Sequence, residues 1–108
     1  MNNETLFNCQ PDFREPDWSE YIALEVSPVA VFEDPMFPGE SYCEAEYDID
    51  APWSFHSVYA RLKEGGVDLI TDIQKGMAVL PVLNAIAARS GLPVGFVLIR
   101  DDDDNQNQ

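Results

Sequence analysis

The sequence has few basic residues. Its 6 lysines and arginines stand against 20 aspartates and glutamates, which gives a formal net charge of −14 at pH 7. Proteins that bind nucleic acids directly neutralise phosphates with clusters of lysine and arginine. The composition therefore argues against a direct nucleic-acid ligand and favours a partner with a basic surface. A small protein can also carry such charge simply to stay soluble, so charge alone leaves both interpretations open.

Cysteine, histidine and long apolar runs are also scarce. Two cysteines without CxxC spacing exclude a disulfide scaffold and predict reduced thiols. The sequence contains no apolar run long enough for a transmembrane helix, and its first residues lack the basic start and apolar middle of a signal peptide. We therefore expect a soluble, cytoplasmic protein that makes no membrane contact.

The charge is distributed unevenly along the chain. Residues 1–50 hold 13 acids and one base, Arg14, whereas residues 51–100 hold three acids and five bases. Residues 101–108 add four aspartates in a low-complexity run, which predicts a disordered acidic tail. Residues 1–20 lack a periodic pattern and are expected to form an N-terminal arm. Residues 21–100 are apolar enough for a single domain with a modest core.

Tyr42 to Asp50 alternates two classes of residue without an error. A period of two is typical of a strand with one buried face. The expected core face carries Cys43, Ala45, Tyr47 and Ile49. The other face carries Glu44, Glu46, Asp48 and Asp50. These carboxylates would recur every ~6.6 Å, close to two steps of the ~3.4 Å axial rise of phosphates in one DNA strand, although a solvated edge strand has the same pattern.

The rest of the domain alternates strand and turn signals before one helix. Tyr21–Phe32 is predicted to be a strand with a bulge or break at Pro28, followed by a loop over residues 33–41. Ser54–Leu62 and Val67–Ile73 are predicted to pair around a two-residue Gly65-Gly66 turn. In that register, Lys63 lies opposite Asp68 as a favourable cross-strand charge pair.

Met77–Ser90 is predicted to be the main helix, because apolar residues follow its turns and Gly91 ends it. The stripe consists of Val79, Val82, Leu83 and Ile86, and Leu80 and Ala87 are expected to widen it. So few polar residues remain that we expect burial on more than one side, either under a curled sheet or in a homodimer. Val94–Ile99 is continuously apolar and predicted to be an interior strand. The predicted fold is α+β, a mostly antiparallel twisted sheet of four to six strands with one main α-helix packed on it.

Few residues suggest catalysis. Cys43 and His56 could form a thiol site with a carboxylate, but the alternation places Cys43 on the core face, where a thiol is inert. A zinc site built from Cys9, Cys43 and His56 lacks the usual close ligand pairs. Asp48 and Asp50 resemble the start of a calcium loop, but the required glycine and glutamate are missing.

Asp68 and Asp72 could bind a divalent ion, yet an enzyme that cuts nucleic acid would need basic residues around them. Gly65-Gly66 is a turn and has no accompanying phosphate-binding pattern. We therefore expect no catalytic residue, no metal and no cofactor. A small metal-dependent or thiol enzyme remains an alternative.

The hairpin region resembles a group of proteins from mobile elements. The segment from Trp53 to Asp72, WSFHSVYARLKEGGVDLITD, and that from Val26 to Pro35, VSPVAVFEDP, are similar to small uncharacterised acidic proteins of plasmids, integrative elements and prophages of proteobacteria. The resemblance implies a genomic context in which small acidic proteins disable host DNA-targeting defences. It implies no catalytic residue.

The leading hypothesis is a non-catalytic interaction module, an acidic nucleic-acid mimic that inhibits a host DNA- or RNA-binding defence protein of restriction or CRISPR type. The expected partner-binding acids are Glu44, Glu46, Asp48, Asp50, Glu33, Asp34 and Glu40. The expected apolar anchors are Trp53, Phe55 and Tyr59. An immunity protein or antitoxin that neutralises a basic toxin is an alternative with the same surface physics.

Overall fold

Residues 1–100 are described by a computed structural model, and the predicted acidic tail at residues 101–108 lies outside the described residues. A mostly antiparallel, open sheet of five strands carries one main helix, which confirms the predicted α+β fold. The elements are α1 Asn3–Leu6, β1 Tyr21–Glu33, β2 Ser41–Ala45, β3 Phe55–Leu62, β4 Val67–Gln74, α2 Val79–Ser90 and β5 Val94–Val97. Short 3₁₀ turns precede β1.

Strand β1 organises the sheet, whose order is β2-β1-β3-β4 with β5 added in parallel to β1. On one side, β1 pairs with β3 from Tyr21 to Val29. On its other side, β5 pairs with Leu24–Val26, and β2 pairs with Val29–Glu33. Beyond Val29, β1 therefore has β2 as its only described strand partner, and the two continue past the end of β3 as a two-stranded ribbon.

Helix α2 covers one face of the sheet. The predicted stripe of Val79, Val82, Leu83 and Ile86 is buried, which confirms the periodicity. These side chains pack with residues of β1, β3 and β4 in one core cluster. The expectation that Leu80 widens this stripe is wrong, because Leu80 lies at the flank of the buried face and is 55% exposed. Among residues 1–100 the helix is thus buried on one face, and these residues do not cover the expected second face.

The N-terminal segment is built into this core. Phe7 is fully buried beside α2. The Asn8 side chain exchanges two 2.8 Å hydrogen bonds with the backbone of Asp72, and the Cys9 N–H donates to the Ile70 carbonyl at 3.2 Å. Residues 8–10 therefore lie along the outer edge of β4 and satisfy backbone groups that an open edge would expose.

The β3–β4 hairpin confirms the two predicted strands but not their register. Gly65 and Gly66 have φ angles of 108° and 81°, the positive values that glycine tolerates. Four residues rather than two separate the strands, and β4 contains a bulge at Ile70, where the register shifts between the pairs Val58–Thr71 and Tyr59–Leu69. The predicted pairing of Lys63 with Asp68 is wrong, because Asp68 lies opposite Ala60 and Lys63 lies in the connection.

The expected break at Pro28 is also wrong, since β1 runs continuously through it. The Pro28 carbonyl accepts the Glu46 N–H at 2.8 Å, on the side away from β3. In a strand the N and O atoms of one residue point to the same side, so the missing proline N–H removes no bond to β3. The register shift in β1 occurs instead between Tyr21 and Ala23.

Two strands lack the burial that the sequence pattern predicts. β2 ends at Ala45, and Cys43 is exposed, while Tyr47 and Ile49 are 62% and 65% exposed. The expected core face is wrong because β2 pairs with the part of β1 that has already passed β3 and the core. The prediction that β5 is an interior strand is wrong. Among the described strands it pairs with β1 alone, so it is an edge strand, and Phe96 on it is 41% exposed.

Candidate functional site

The ribbon, residues 30–45, is the most distinctive surface of the molecule. Its ladder runs from the pair Ala30 and Glu44 to the pair Glu33 and Ser41. β3 stops pairing with β1 at Val29, so no third strand supports the ribbon within the described residues. The sequence produces this projection because β1 has 13 residues, whereas β3 has only 8.

All charged residues of the ribbon and of the segment after it are acidic. Residues 30–50 contain seven acids and no lysine or arginine. They are the predicted partner-binding acids Glu33, Asp34, Glu40, Glu44, Glu46, Asp48 and Asp50. Within residues 1–100, ion pairs form only between Asp12 and Arg14, Glu25 and Arg61, and Glu15 and Arg89. None of the seven carboxylates therefore forms an ion pair in the described part of the chain.

The first four acids lie on the ribbon itself. Glu33 and Glu44 are exposed on its two strands, and Glu40 is exposed at its tip. Asp34 organises the tip, since its carboxylate accepts the Met36 N–H at 2.9 Å and its own N–H donates to the Glu40 carbonyl at 3.0 Å. The tip is thus a hydrogen-bonded turn that presents Glu40 in a defined position.

The last three acids follow β2 in successive turns. The Glu46 carboxylate accepts the Asp48 N–H at 3.2 Å, and the Asp48 carboxylate accepts the Asp50 N–H at 2.9 Å. The Arg100 guanidinium holds these turns by donating to the carbonyls of Asp48 and Ala51 at 3.1 and 3.0 Å. The predicted straight row of four carboxylates is therefore wrong, because side chains that bond to nearby backbone favour turns over strand.

Large apolar side chains accompany the acids on the ribbon. Met36 is 77% and Phe37 62% exposed at the tip. Phe32 and Tyr42 are a cross-strand pair whose rings stack with centroids 5.5 Å apart. Sequence reasoning missed these four residues. A signal was available, because the Met-Phe pair lies between two turn signals, where large apolar residues rarely serve a core.

The three predicted aromatic anchors lie elsewhere. Trp53 is only 8% exposed, its ring lies 4.6 Å from the His56 ring, and the Lys75 ammonium sits 4.3 Å above it. Its expected role as an exposed anchor is therefore wrong, because these neighbours cover it. Phe55 and Tyr59 are half-buried on β3. They lie on the face away from α2, since they alternate with the core residue Val58.

The thiol alternative finds no assembled site. Cys43 lies opposite Val31 and His56 opposite Pro28, so the two side chains point to opposite faces of the sheet. His56 is 2% exposed, and its Nε2 accepts the Arg100 N–H at 2.9 Å. Cys43 is nevertheless an exposed thiol and not the buried one that the alternation predicts.

The remaining chemical groups have structural partners. Burial and the nearby charge of Asp72 raise the pKa of Cys9 to about 12. The Asp68 carboxylate accepts the Tyr21 hydroxyl at 2.7 Å, and the Asp72 carboxylate accepts the Ser57 hydroxyl at 2.6 Å. Among residues 1–100, no group of three or more histidines, cysteines, aspartates or glutamates is arranged to hold a metal ion.

No helix within the described residues is long and apolar enough to cross a membrane. Comparisons with models of protein families, with curated protein sequences and with solved structures find no match to this chain.

Proposed function

We propose that this chain is a non-catalytic interaction module, an acidic inhibitor that occupies the basic nucleic-acid-binding groove of a host DNA- or RNA-binding protein. The observation that carries the proposal is the ribbon. It projects beyond the sheet, and residues 30–50 contain seven acids without a base. A narrow projection of one charge sign suits a groove of the opposite sign.

Competition is the proposed mechanism. The exposed carboxylates attract the partner over a distance and then pair with arginine and lysine side chains that otherwise contact phosphates. Exposed ion pairs contribute only about 0–1 kcal/mol each, so charge alone gives modest affinity. Met36 and Phe37 at the tip supply the apolar contact that a stable interface needs at its centre.

The class of target is a further part of the proposal. A restriction or CRISPR nuclease complex is favoured by the resemblance of two segments to small acidic proteins of mobile elements. The acidic ribbon would act on any basic groove, so the target class depends on that resemblance and the mechanism does not.

The test is a pull-down of the tagged full chain from a proteobacterial lysate, washed at low and then moderate salt, with added duplex DNA or RNA as competitor. We expect recovery of a nucleic-acid-binding protein that the competitor displaces. A specific partner indifferent to salt and to nucleic acid would contradict the proposal. Capture of a basic toxin would favour the immunity-protein alternative instead.

A further inference from the structure

The edges of the sheet differ in how they are protected. Backbone N–H and C=O groups along an edge strand can pair with another strand, so native proteins cover such edges or place charges on them. Residues 8–10 lie along the edge of β4, where the Cys9 N–H donates to the Ile70 carbonyl at 3.2 Å. β2, at the opposite end of the sheet, carries Glu44 and is followed by Glu46. These two edges therefore each have a device against further pairing.

The outer edge of β5 has neither device. β5 pairs with β1 at Leu24–Val26, and no other strand within residues 1–100 pairs with it. Residues 91–99, GLPVGFVLI, include no charged side chain. Val94, Phe96 and Val97 are all exposed. An exposed apolar edge of this kind allows another strand to add to the sheet.

The chemistry of this edge selects an extended chain as its occupant. The backbone groups of a strand point alternately to its two sides, so part of those of β5 face away from β1. A second strand satisfies such a row of donors and acceptors with a ladder of its own groups, which a helix cannot do because its backbone groups are already bonded. The uncharged side chains of β5 also suit a strand that carries no charge.

Charge then selects a second copy of this chain. At a net charge of −14, two copies repel each other wherever their acids meet. Pairing of two β2 edges would bring the carboxylates of Glu44 and its neighbours together, whereas pairing of two β5 edges brings together only uncharged residues. The basic partner proposed above would find no countercharge on β5. Two identical uncharged edges, in contrast, are complementary to each other about a two-fold axis.

Antiparallel pairing of two β5 strands also keeps the acidic ribbons apart. Because β5 runs parallel to β1, the two β1 strands would point in opposite directions, and each ribbon would project from a different end of the joined sheet. Glu33 lies about 26 Å along β1 from Glu25, which pairs near the middle of β5. The two ribbons would thus be about 50 Å apart, many times the ~8 Å Debye length at physiological salt.

We propose that β5 pairs antiparallel with β5 of a second copy and joins the two sheets into one. The ladder is short, Val94–Val97 on each chain, so the dimer is weak, with a dissociation constant on the order of 10–100 μM. The inference does not depend on the proposed function. It adds to that function a particle with two ribbons that point in opposite directions, so that one dimer engages two partner molecules.

The first test is analytical ultracentrifugation of the full chain from low to high micromolar concentration, at low and at high salt. The sedimenting mass should rise from that of one chain towards that of two. The rise should be larger at high salt, because salt screens the repulsion between two chains of charge −14. Binding of the ribbon to a basic partner should weaken with salt, so the two associations are distinguishable. The mass of a single chain under all conditions would overturn the inference.

Variants show whether β5 is the interface. The edge variant, Val94→Glu with Val97→Glu, places two acids on each edge and should weaken dimerisation at least about tenfold. Its matched control is Val31→Glu with Val67→Glu, since these valines on β1 and β4 are 45% and 40% exposed against 40% and 47% for the edge pair. Circular dichroism at low concentration checks that each chain is folded. Undiminished dimerisation of the edge variant, or equal loss in both variants, would overturn the inference.

Hydrogen exchange of the original chain provides a test without substitutions. The amides of Val94–Val97 should exchange more slowly at high than at low protein concentration, because the ladder protects those that face outward. The amides of the ribbon tip should exchange at the same rate at both concentrations. A dimer in which exchange of the β5 amides is unchanged would have a different interface and would overturn the inference.

Discussion

At the scale of single residues, hydrogen bonds from buried side chains connect distant parts of the chain. Tyr21 begins β1, and its hydroxyl donates to Asp68 on β4 at 2.7 Å. The ring is 8% exposed and packs edge to face against Trp18. One side chain thus joins the N-terminal segment to two strands of the sheet, so both its bond and its ionisation should affect stability.

Tyr21→Phe is expected to lower the free energy of unfolding by about 1 kcal/mol at neutral pH, the usual value of one hydrogen bond. Desolvation, followed by the Asp68 bond and nearby carboxylates, raises the pKa of Tyr21 from 10.0 to about 12. A pKa raised by folding means that the stabilisation is complete below the unfolded value and is lost as the pH rises through about 12. Urea unfolding at several alkaline pH values should show that the free energy of unfolding falls less steeply with pH in Tyr21→Phe than in the original chain.

The control is Tyr42→Phe, because Tyr42 is 42% exposed on the ribbon. Its unfolding free energy at neutral pH should match that of the original chain. Equal stability of all three proteins, or an identical alkaline decline in Tyr21→Phe, would show that the Tyr21–Asp68 bond contributes nothing.

The two thiols should differ in reactivity. Burial and the charge of Asp72 raise the pKa of Cys9 to about 12, so little of the reactive thiolate is present at pH 8. Cys43 is exposed on β2. Peptide mass spectrometry after timed treatment with iodoacetamide should find Cys43 modified first, with both thiols reacting readily once guanidinium unfolds the chain. Faster modification of Cys9 in the folded protein would contradict its described environment.

At the scale of elements, sequence patterns succeed where one chain segment determines its own structure. The apolar spacing of α2, the glycine after it and the glycines between β3 and β4 are local signals, and each element occurs where they predict it. Burial depends instead on what lies across the sheet. Alternation along residues 42–50 and the apolar run of β5 both indicate strand, but neither shows that the core ends before it reaches them.

The candidate site likewise combines local features that the sequence predicts with long-range features that it does not. The acidic bias of residues 30–50 is visible in the sequence, and so are the turn signals at the ribbon tip. The projection of the ribbon depends on where β3 stops pairing with β1, which is a long-range property. Trp53 shows the limit most clearly, since Lys75 from a distant segment, together with the nearby His56, covers a ring that sequence alone leaves free.

The end of α2 provides an element-scale prediction. Gly91 has a φ of 71°, and its N–H donates to the Ala87 carbonyl at 2.9 Å. Gly91→Ala should cost about 1 kcal/mol of unfolding free energy, because a side chain is strained in this conformation even though no atom would crowd it. Asn84→Ala, on the exposed face of the same helix, is the control and should be neutral or slightly stabilising. A neutral Gly91→Ala in chemical unfolding would contradict the capping geometry.

At the scale of the whole molecule, the acids of the ribbon and most of the basic residues come from different halves of the chain. The helix, the core and most basic residues belong to the second half of the chain, whereas the ribbon and the turns after it carry seven acids without a base. Within residues 1–100, folding pairs Glu15 and Glu25 of the first half with arginines of the second, but it forms no ion pair with the acids of residues 30–50. Such a distribution repels itself and costs stability, which a purely structural role would not require.

The central claim is that the acids of the ribbon, and not net charge in general, bind the partner. The most direct measurement is quantitative mass spectrometry of proteins captured from one lysate by three tagged chains. They are the original chain, the ribbon variant Glu33→Lys, Glu40→Lys and Glu44→Lys, and a control variant with the same charge change at exposed positions outside the ribbon. The control substitutions are Glu4→Lys, Glu20→Lys and Glu64→Lys.

We predict that the ribbon variant stays folded, because its three substituted side chains are exposed. It should capture at most about one tenth as much of the nucleic-acid-binding protein as the original chain, which corresponds to a loss of about 1.4 kcal/mol of binding free energy. The control variant should retain most of the capture. Equal capture by the ribbon variant and the original chain, or equal loss in both variants, would contradict the claim that the ribbon is the binding surface.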